Sequence, residues 1–192
     1  MTHRFRPDPE LHAFAPVVMQ RARERGAMIT GPWLRGDEPR LARELLVDAI
    51  GRCGADEGTV WLLRGAALVP AINTGPHADR LVDLFQQPVS QGIIGMVAVT
   101  EQSFCENGIE ASAQRDGTLD TLLGVRTAAM LAVPLAFGGA VRGVVSCVLF
   151  TREGAPRGFA AEHLERLERD VHTAGRLLDL VLLDGVLGLH GA

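Results

Sequence analysis

Three groups of residues in this chain carry reactive or ligand-binding chemistry: three cysteines, six histidines, and a polar stretch with charges at Glu106, Asp116, Asp120 and Arg126. Cys53, Cys105 and Cys147 are odd in number and widely spaced, which fits neither a secreted disulfide framework nor a zinc site, so reduced thiols are expected. Cys105 is the candidate for a reactive thiol, because Glu106 and Asn107 follow it at the mouth of the polar stretch. A nucleophilic cysteine needs a cation or a helix N-terminus to stabilise the thiolate, and the sequence places neither; the alternative is a small buried hydrophobe. His3, His12, His77, His163, His172 and His190 are scattered, and His163 and His172 miss the i,i+4 spacing with which two histidines share a metal. No metal is assigned, no cofactor is specified, and solvated surface is expected for the histidines.

A binding site is the other chemistry these residues allow. Trp61, Ile94, Phe104 and Met130 offer apolar walls, and Cys105, Glu106, Asn107, Asp116 and Arg126 offer polar groups, the usual make-up of a small-molecule pocket. The competing reading is a core position for Trp61, which has Val60, Leu62 and Leu63 beside it, and plain solvation for the loop charges.

The elements that must position these residues follow from periodicity. A helix is expected from Pro9 to Arg25, then a glycine-interrupted loop to Gly36, then a helix capped by Asp37 with Leu41, Leu45, Leu46, Ala49 and Ile50 on one face. Gly58 to Leu63 and Leu68 to Thr74 read as a hairpin, Ala78 to Gln86 and Gln91 to Thr100 as helices, and Ser103 to Cys105 as a short strand. Glu106 to Gly124 reads as a long loop with a helical turn at Leu119 to Leu123. Ala128 to Phe137 and Val141 to Phe150 flank Gly138-Gly139 as a second, strongly apolar hairpin, in which Pro134 calls for a bulge or an edge. A long helix from Phe159 to about Leu183 closes the order, with Leu164, Leu167, Val171, Ala174, Leu178 and Val181 in steps of three and four.

Composition bounds the rest. With 192 residues, 47% hydrophobic and 22% charged, the chain fits one domain with extensions: an arm and loop at 1–36, the domain at 37–178, and a helix end and tail at 179–192. A net charge of -4 without a basic stripe argues against nucleic acid as a partner. No signal-peptide pattern opens the chain and the apolar run Leu177 to Leu189 is broken by Asp179 and Asp184, so a cytoplasmic protein off the membrane is expected.

The phrases Gln91-Gly92-Ile93-Ile94-Gly95, Met130-Leu131-Ala132-Val133-Pro134-Leu135 and Gly143-Val144-Val145, in this order between about Leu41 and Leu178, resemble the GAF family. The resemblance implies an α+β fold, an antiparallel sheet of about six strands with the terminal helices on one face and a ligand pocket on the other. It implies a small-molecule-sensing or regulatory domain in signal transduction, here without its own output domain, that acts through assembly or a signalling protein partner. The run that marks cyclic-nucleotide members is absent, and the Glu106 to Arg126 loop lacks the cysteine and histidine of bilin-binding members. The enzymatic relative is free methionine sulfoxide reductase, which would require Cys105 as the reactive thiol; a dimerisation scaffold without ligand is the third reading. The extra leucines at 177, 180, 182 and 183 predict a homodimer through the terminal helices, packed with Leu41 to Ile50.

Overall fold

Period-two alternation in four long strands builds the molecule. The computed structural model describes residues 9–113, 115–154 and 158–188, so His3, His190 and the outer ends of the arm and tail lie outside the described residues. Strand β1 (Glu57–Arg64) turns into β2 (Ala67–Asn73), and β5 (Thr127–Phe137) turns into β6 (Ala140–Phe150) through Gly138 and Gly139, both at positive φ as a tight hairpin requires. Short strands β3 (Gln87–Pro88) and β4 (Phe104–Asn107) complete an antiparallel sheet of order β3-β2-β1-β6-β5-β4. Pro134 stands where β4 has already ended, since Phe104 pairs with Ala132, and its missing N–H therefore costs no bond to that neighbour.

One face of the sheet is the dry core. Val60, Leu62, Leu131, Val133, Val145 and Cys147 point to it and meet Leu46 and Ile50 of α3 (Arg40–Arg52) and Leu167, Val171, Ala174 and Leu178 of α7 (Ala161–Leu187). The three-four seam of α7 packs on the chain's own sheet and α3 through Leu167, Val171, Ala174 and Leu178, with Leu164 and Val181 half-buried at its two ends. Helix α1 (Pro9–Met28) runs against α7 and is tied to β6 where Arg142 donates to the Arg23 carbonyl at 3.0 Å. The opposite face carries the shorter elements: α4 (Ala78–Leu81), α5 (Gly92–Thr100) and α6 (Thr118–Leu123).

Several local expectations change. Pro39, not Asp37, is the cap of α3, and the Asp37 side chain makes no capping bond; its carbonyl instead accepts the Arg40 N–H at 3.1 Å in a preceding turn. The loop before it contains α2 (Gly31–Leu34), capped by the Thr30 hydroxyl. The helix expected over 78–86 stops at Leu81 because Asp83 takes a left-handed φ of 59, donates its N–H to the Pro70 carbonyl and pairs with Arg35. Contacts to β2 and α2 override the helical spacing there.

Gly175 fixes how close α7 lies to the sheet, because a Cβ there would sit 2.2 Å from the Ala136 carbonyl oxygen. Alanine gains about 1 kcal/mol in helix propensity, but the methyl must push α7 off β5, an overpacking cost of about 1–3 kcal/mol. Gly175→Ala should therefore be destabilised in urea unfolding, and a higher midpoint than wild type would contradict the close packing.

Candidate functional site

The alternation that sends Val60 and Leu62 into the core sends Glu57, Thr59 and Trp61 to the other face of β1, where they floor a cavity of about 100 Å³. Register places Ser146 directly opposite Thr59, and Val148 opposite Glu57 and Met130. The floor is polar where a core would be apolar: Glu57, Thr59 and Ser146 are each only 4% exposed. Each has a partner. The Trp61 indole N–H donates to Ser146 Oγ at 2.9 Å, Asn73 donates to Thr59 Oγ1 at 2.9 Å, and Glu57 accepts the His77 backbone N–H at 3.2 Å. His77 Nδ1 stands 3.0 Å from the other Glu57 oxygen. His77, expected on solvated surface, is instead engaged by a buried carboxylate.

The roof is apolar, made by Ile93 and Ile94 of α5, Ile109 in a 3-10 turn (Ile109–Ala111), and Leu119 and Leu123 of α6. Hydrogen bonds hold its rim. Asp120 accepts both the Thr127 hydroxyl at 2.7 Å and the Thr127 N–H at 3.0 Å, and Arg115 joins it at 2.7 Å. Gln87, 3% exposed, donates to Asp116 at 2.7 Å and to the Gln91 carbonyl at 3.3 Å. The Thr118 hydroxyl first, then the Gln87 amide and the Thr118 N–H, hold the Asp116 carboxyl below its usual range. Arg80 donates to the Leu122 carbonyl, which ties α6 to α4.

Of the nine residues expected at the site, Trp61, Ile94, Asp116 and Met130 line this cavity. Phe104 packs partly buried beside the same apolar cluster, and Cys105 is exposed on the edge strand β4. Glu106 shares that strand; Asn107 uses its amide on the backbone of Phe159, donating at 3.0 Å and accepting at 2.8 Å. Arg126 is exposed on a shallow surface groove with Thr151. Sequence reasoning passed over Glu57, Thr59, Gln87, Thr127 and Ser146, whereas Asp120, weighed there among the loop charges, does line the cavity. The signal for three of those passed over was present: Glu57-x-Thr59-x-Trp61 and Val144-x-Ser146-x-Val148 put polar residues at alternate positions of otherwise apolar strands, which is informative on a buried face.

Such a cavity can bind and orient. A cavity of about 150 Å³ suffices for benzene, so one of about 100 Å³ admits a guest of a few heavy atoms and is far too small for a tetrapyrrole or a nucleotide as it stands. Nucleophilic chemistry has poor support from the thiols. Partial burial pushes the Cys105 thiol up from its ordinary value, Cys147 is raised well above it by a hydrogen bond with Cys53 and by burial in the opposite core, and Cys53, which that hydrogen bond lowers, is itself shut in the core at 6% exposure. Among the described residues no cluster of histidine, cysteine and carboxylate could hold a metal, and no helix is long and apolar enough to cross a membrane.

Comparison with known proteins agrees with the fold. The family model described as GAF domain matches residues 37–179. Among solved structures, the chain is similar to the GAF-B domain of DevS from Mycobacterium smegmatis, with a TM-score of 0.59 and 23% identity over 75% of this chain and 94% of that one. It is similar to the GAF domain of a phosphoenolpyruvate-protein phosphotransferase from Coxiella burnetii, with a TM-score of 0.62 and 14% identity over 91% and 96%. A type II free methionine-R-sulfoxide reductase from Thermoplasma acidophilum shares the fold at a TM-score of 0.58 and 13% identity over 76% and 97%. No curated protein sequence matches.

The raised Cys105 thiol means less thiolate near neutral pH than a free cysteine carries. Iodoacetamide should accordingly modify the folded protein once, at Cys105, more slowly than it modifies glutathione at pH 7.5, while Cys53 and Cys147 stay unmodified until unfolding. Peptide mass spectrometry over time checks this, and modification of Cys105 faster than glutathione would revive a nucleophilic role.

Proposed function

The chain belongs to the GAF domain family, and from that premise we propose that it is a small-molecule-sensing regulatory domain of signal transduction that takes its ligand in the cavity on β1 and β6. The observation that carries this reading is the floor itself: three buried polar side chains, Glu57, Thr59 and Ser146, aimed into a small space otherwise walled by Trp61, isoleucines and leucines. A fold that needed only stability would fill this face with hydrocarbon, since buried polar groups cost free energy unless bonded. Binding is favoured over reductase chemistry because the cavity and the cysteines do not meet: Cys53 and Cys147 lie in the core on the other side of the sheet, and Cys105 is absent from the cavity wall.

Output through self-association is the second part of the proposal. Phe14 and Val17 of α1 are 65% and 53% exposed, and Leu180 and Leu187 of α7 are 62% and 54% exposed, while Leu167, Val171, Ala174 and Leu178 of the α7 seam are buried inside the domain. These large apolar side chains stand exposed on two helices that contact each other, and soluble monomers seldom leave a contiguous apolar surface open. A two-fold pairing of α1 and α7 with a second copy covers them.

Two measurements test these parts separately. Thermal-shift screening against amino acids, small amines, short carboxylic acids, nucleotides and tetrapyrroles should give a rise with a compound of few heavy atoms, since a ligand of the folded state alone raises the melting temperature. Val148→Phe, which fills the floor, should fold yet lose that rise; a response that survives the substitution would place the ligand elsewhere. Light scattering should give twice the 20.6 kDa chain mass, and Leu180→Glu with Leu187→Glu should restore the monomer with unchanged circular dichroism. A wild-type mass of one chain at micromolar concentration would remove the dimer.

A further inference from the structure

The polar groups of the cavity are not equivalent, and their hydrogen-bond inventory narrows the ligand. The inference rests on the reading of the cavity as a ligand site. Ser146 Oγ accepts from the Trp61 indole, which can only donate, and Thr59 Oγ1 accepts from the Asn73 amide, whose oxygen is held by the Gly75 N–H at 2.8 Å. Each hydroxyl therefore keeps its own hydrogen to give, and neither gives it to another described residue. Glu57 is the converse case. An ionised carboxylate offers about four lone-pair sites, and His77 meets Glu57 with only its N–H and Nδ1. One cross-strand pair thus presents two spare donors, and the next inward-facing residue of β1 presents spare acceptors.

Charge decides the sign of the guest. The cavity is faced by three carboxylates, Glu57, Asp116 and Asp120, and by one guanidinium, Arg115. Arg115 is committed to Asp120 at the rim, so the deep carboxylate of Glu57 has no arginine or lysine partner within the cavity. A protonated His77, outside the cavity wall, would still leave the balance negative. Trp61 and Phe150 stand on the wall as aromatic faces, which attract cations through the ring quadrupole. An anionic guest would meet repulsion from Glu57 with no free cation to offset it.

We infer that the cavity recognises a compact organic cation, a primary amine that also carries a hydroxyl or carbonyl oxygen, with its nitrogen on Glu57 and its oxygen on the hydroxyls of Thr59 and Ser146. The volume restricts it to a few heavy atoms, the scale of a short amino alcohol. Glu57 supplies the charge selection, and the Thr59 and Ser146 pair distinguishes such a compound from a plain alkylamine, because the unfilled donors are matched only when an oxygen is present.

The test follows the Trp61 indole N–H in nitrogen-15 spectra of the full chain, assigned with Trp33→Phe, during titration with five small probes of similar size. These are 2-aminoethanol and 1-amino-2-propanol as cations, propane-1,2-diol as neutral, lactate as anion and alanine as zwitterion. The amino alcohols should shift the signal saturably, at least tenfold more tightly than the other three. Glu57→Gln should weaken them at least tenfold, and Thr59→Val, which leaves the acceptor of the Trp61 indole in place, should weaken 1-amino-2-propanol severalfold while leaving propylamine, a further probe without the oxygen, unchanged. Equal or tighter binding of lactate, alanine or the diol, or an unchanged affinity in Glu57→Gln, overturns the cation assignment and leaves the sensing site intact. Silence to all five also overturns it, and the melting screen with Val148→Phe then decides whether the cavity binds anything. Should Glu57→Gln fail to fold, the charge series on wild type and the Thr59→Val comparison decide the outcome.

Discussion

The antiparallel register of β1 against β6 is the constraint on which the rest of the molecule depends. Thr59 opposite Ser146 puts two hydroxyls side by side on one face, while Val60 opposite Val145 puts two valines on the other. A one-residue slip of either strand would exchange these sets. Glu57 would then enter the apolar core beneath α3 and α7 without its histidine, at a cost of several kcal/mol for an unpaired buried charge. The hydrophobic set on the helix face therefore locks the register, and the locked register delivers the polar set to the cavity. Core and site are two readings of the same strands.

That division explains why the polar face can exist at all. Trp61 cannot be buried without an acceptor for its N–H, and Ser146 provides it from the neighbouring strand. Glu57 is buried with its hydrogen bonds from His77, which also fixes the loop after β2. The rim is made differently. Its bonds run from Arg115, Asp116 and Asp120, which are half-buried, to Gln87 of β3 and Thr127 of β5. Elements with few buried apolar contacts open at low free-energy cost, so α6, none of whose residues is buried, is the part of the roof suited to admit a guest while the floor stays rigid.

Much of this organisation was legible in the sequence, and the parts that were not share a physical reason. The two hairpins, the α5 phrase at residues 92–100 and the long terminal helix are strongly periodic or glycine-punctuated, and local signals of that kind survive tertiary packing. The placement of the terminal helices on one face came from the family resemblance and not from spacing. What periodicity misjudged was contact-dependent: the helix after Ala78 is cut short where Asp83 pairs with Arg35 from a distant segment. The cavity was half visible. Trp61, Ile94 and Met130 were marked by size and hydrophobicity, whereas Glu57, Thr59 and Ser146 sat in strands that read as apolar runs, and their significance rests on the cross-strand pairing that no linear pattern states.

A guest in the cavity changes the terminal helices only if it binds one of two arrangements better than the other, since equal affinity shifts no equilibrium. The structure contains a short mechanical route on which such a difference could act. Ile109 forms part of the cavity wall and is 2% exposed; two residues before it, Asn107 grips the backbone of Phe159 through both atoms of its amide. Phe159 is itself buried in the core and stands two residues ahead of the first turn of α7. Displacement of Ile109 by a guest would therefore pull on the segment that starts α7, whereas the floor residues, fixed by the sheet ladder, would transmit little. On the proposed reading, the asymmetry between a rigid floor and a wall hydrogen-bonded to the helix start is the feature through which a guest in the cavity would act on a helix on the far side of the sheet.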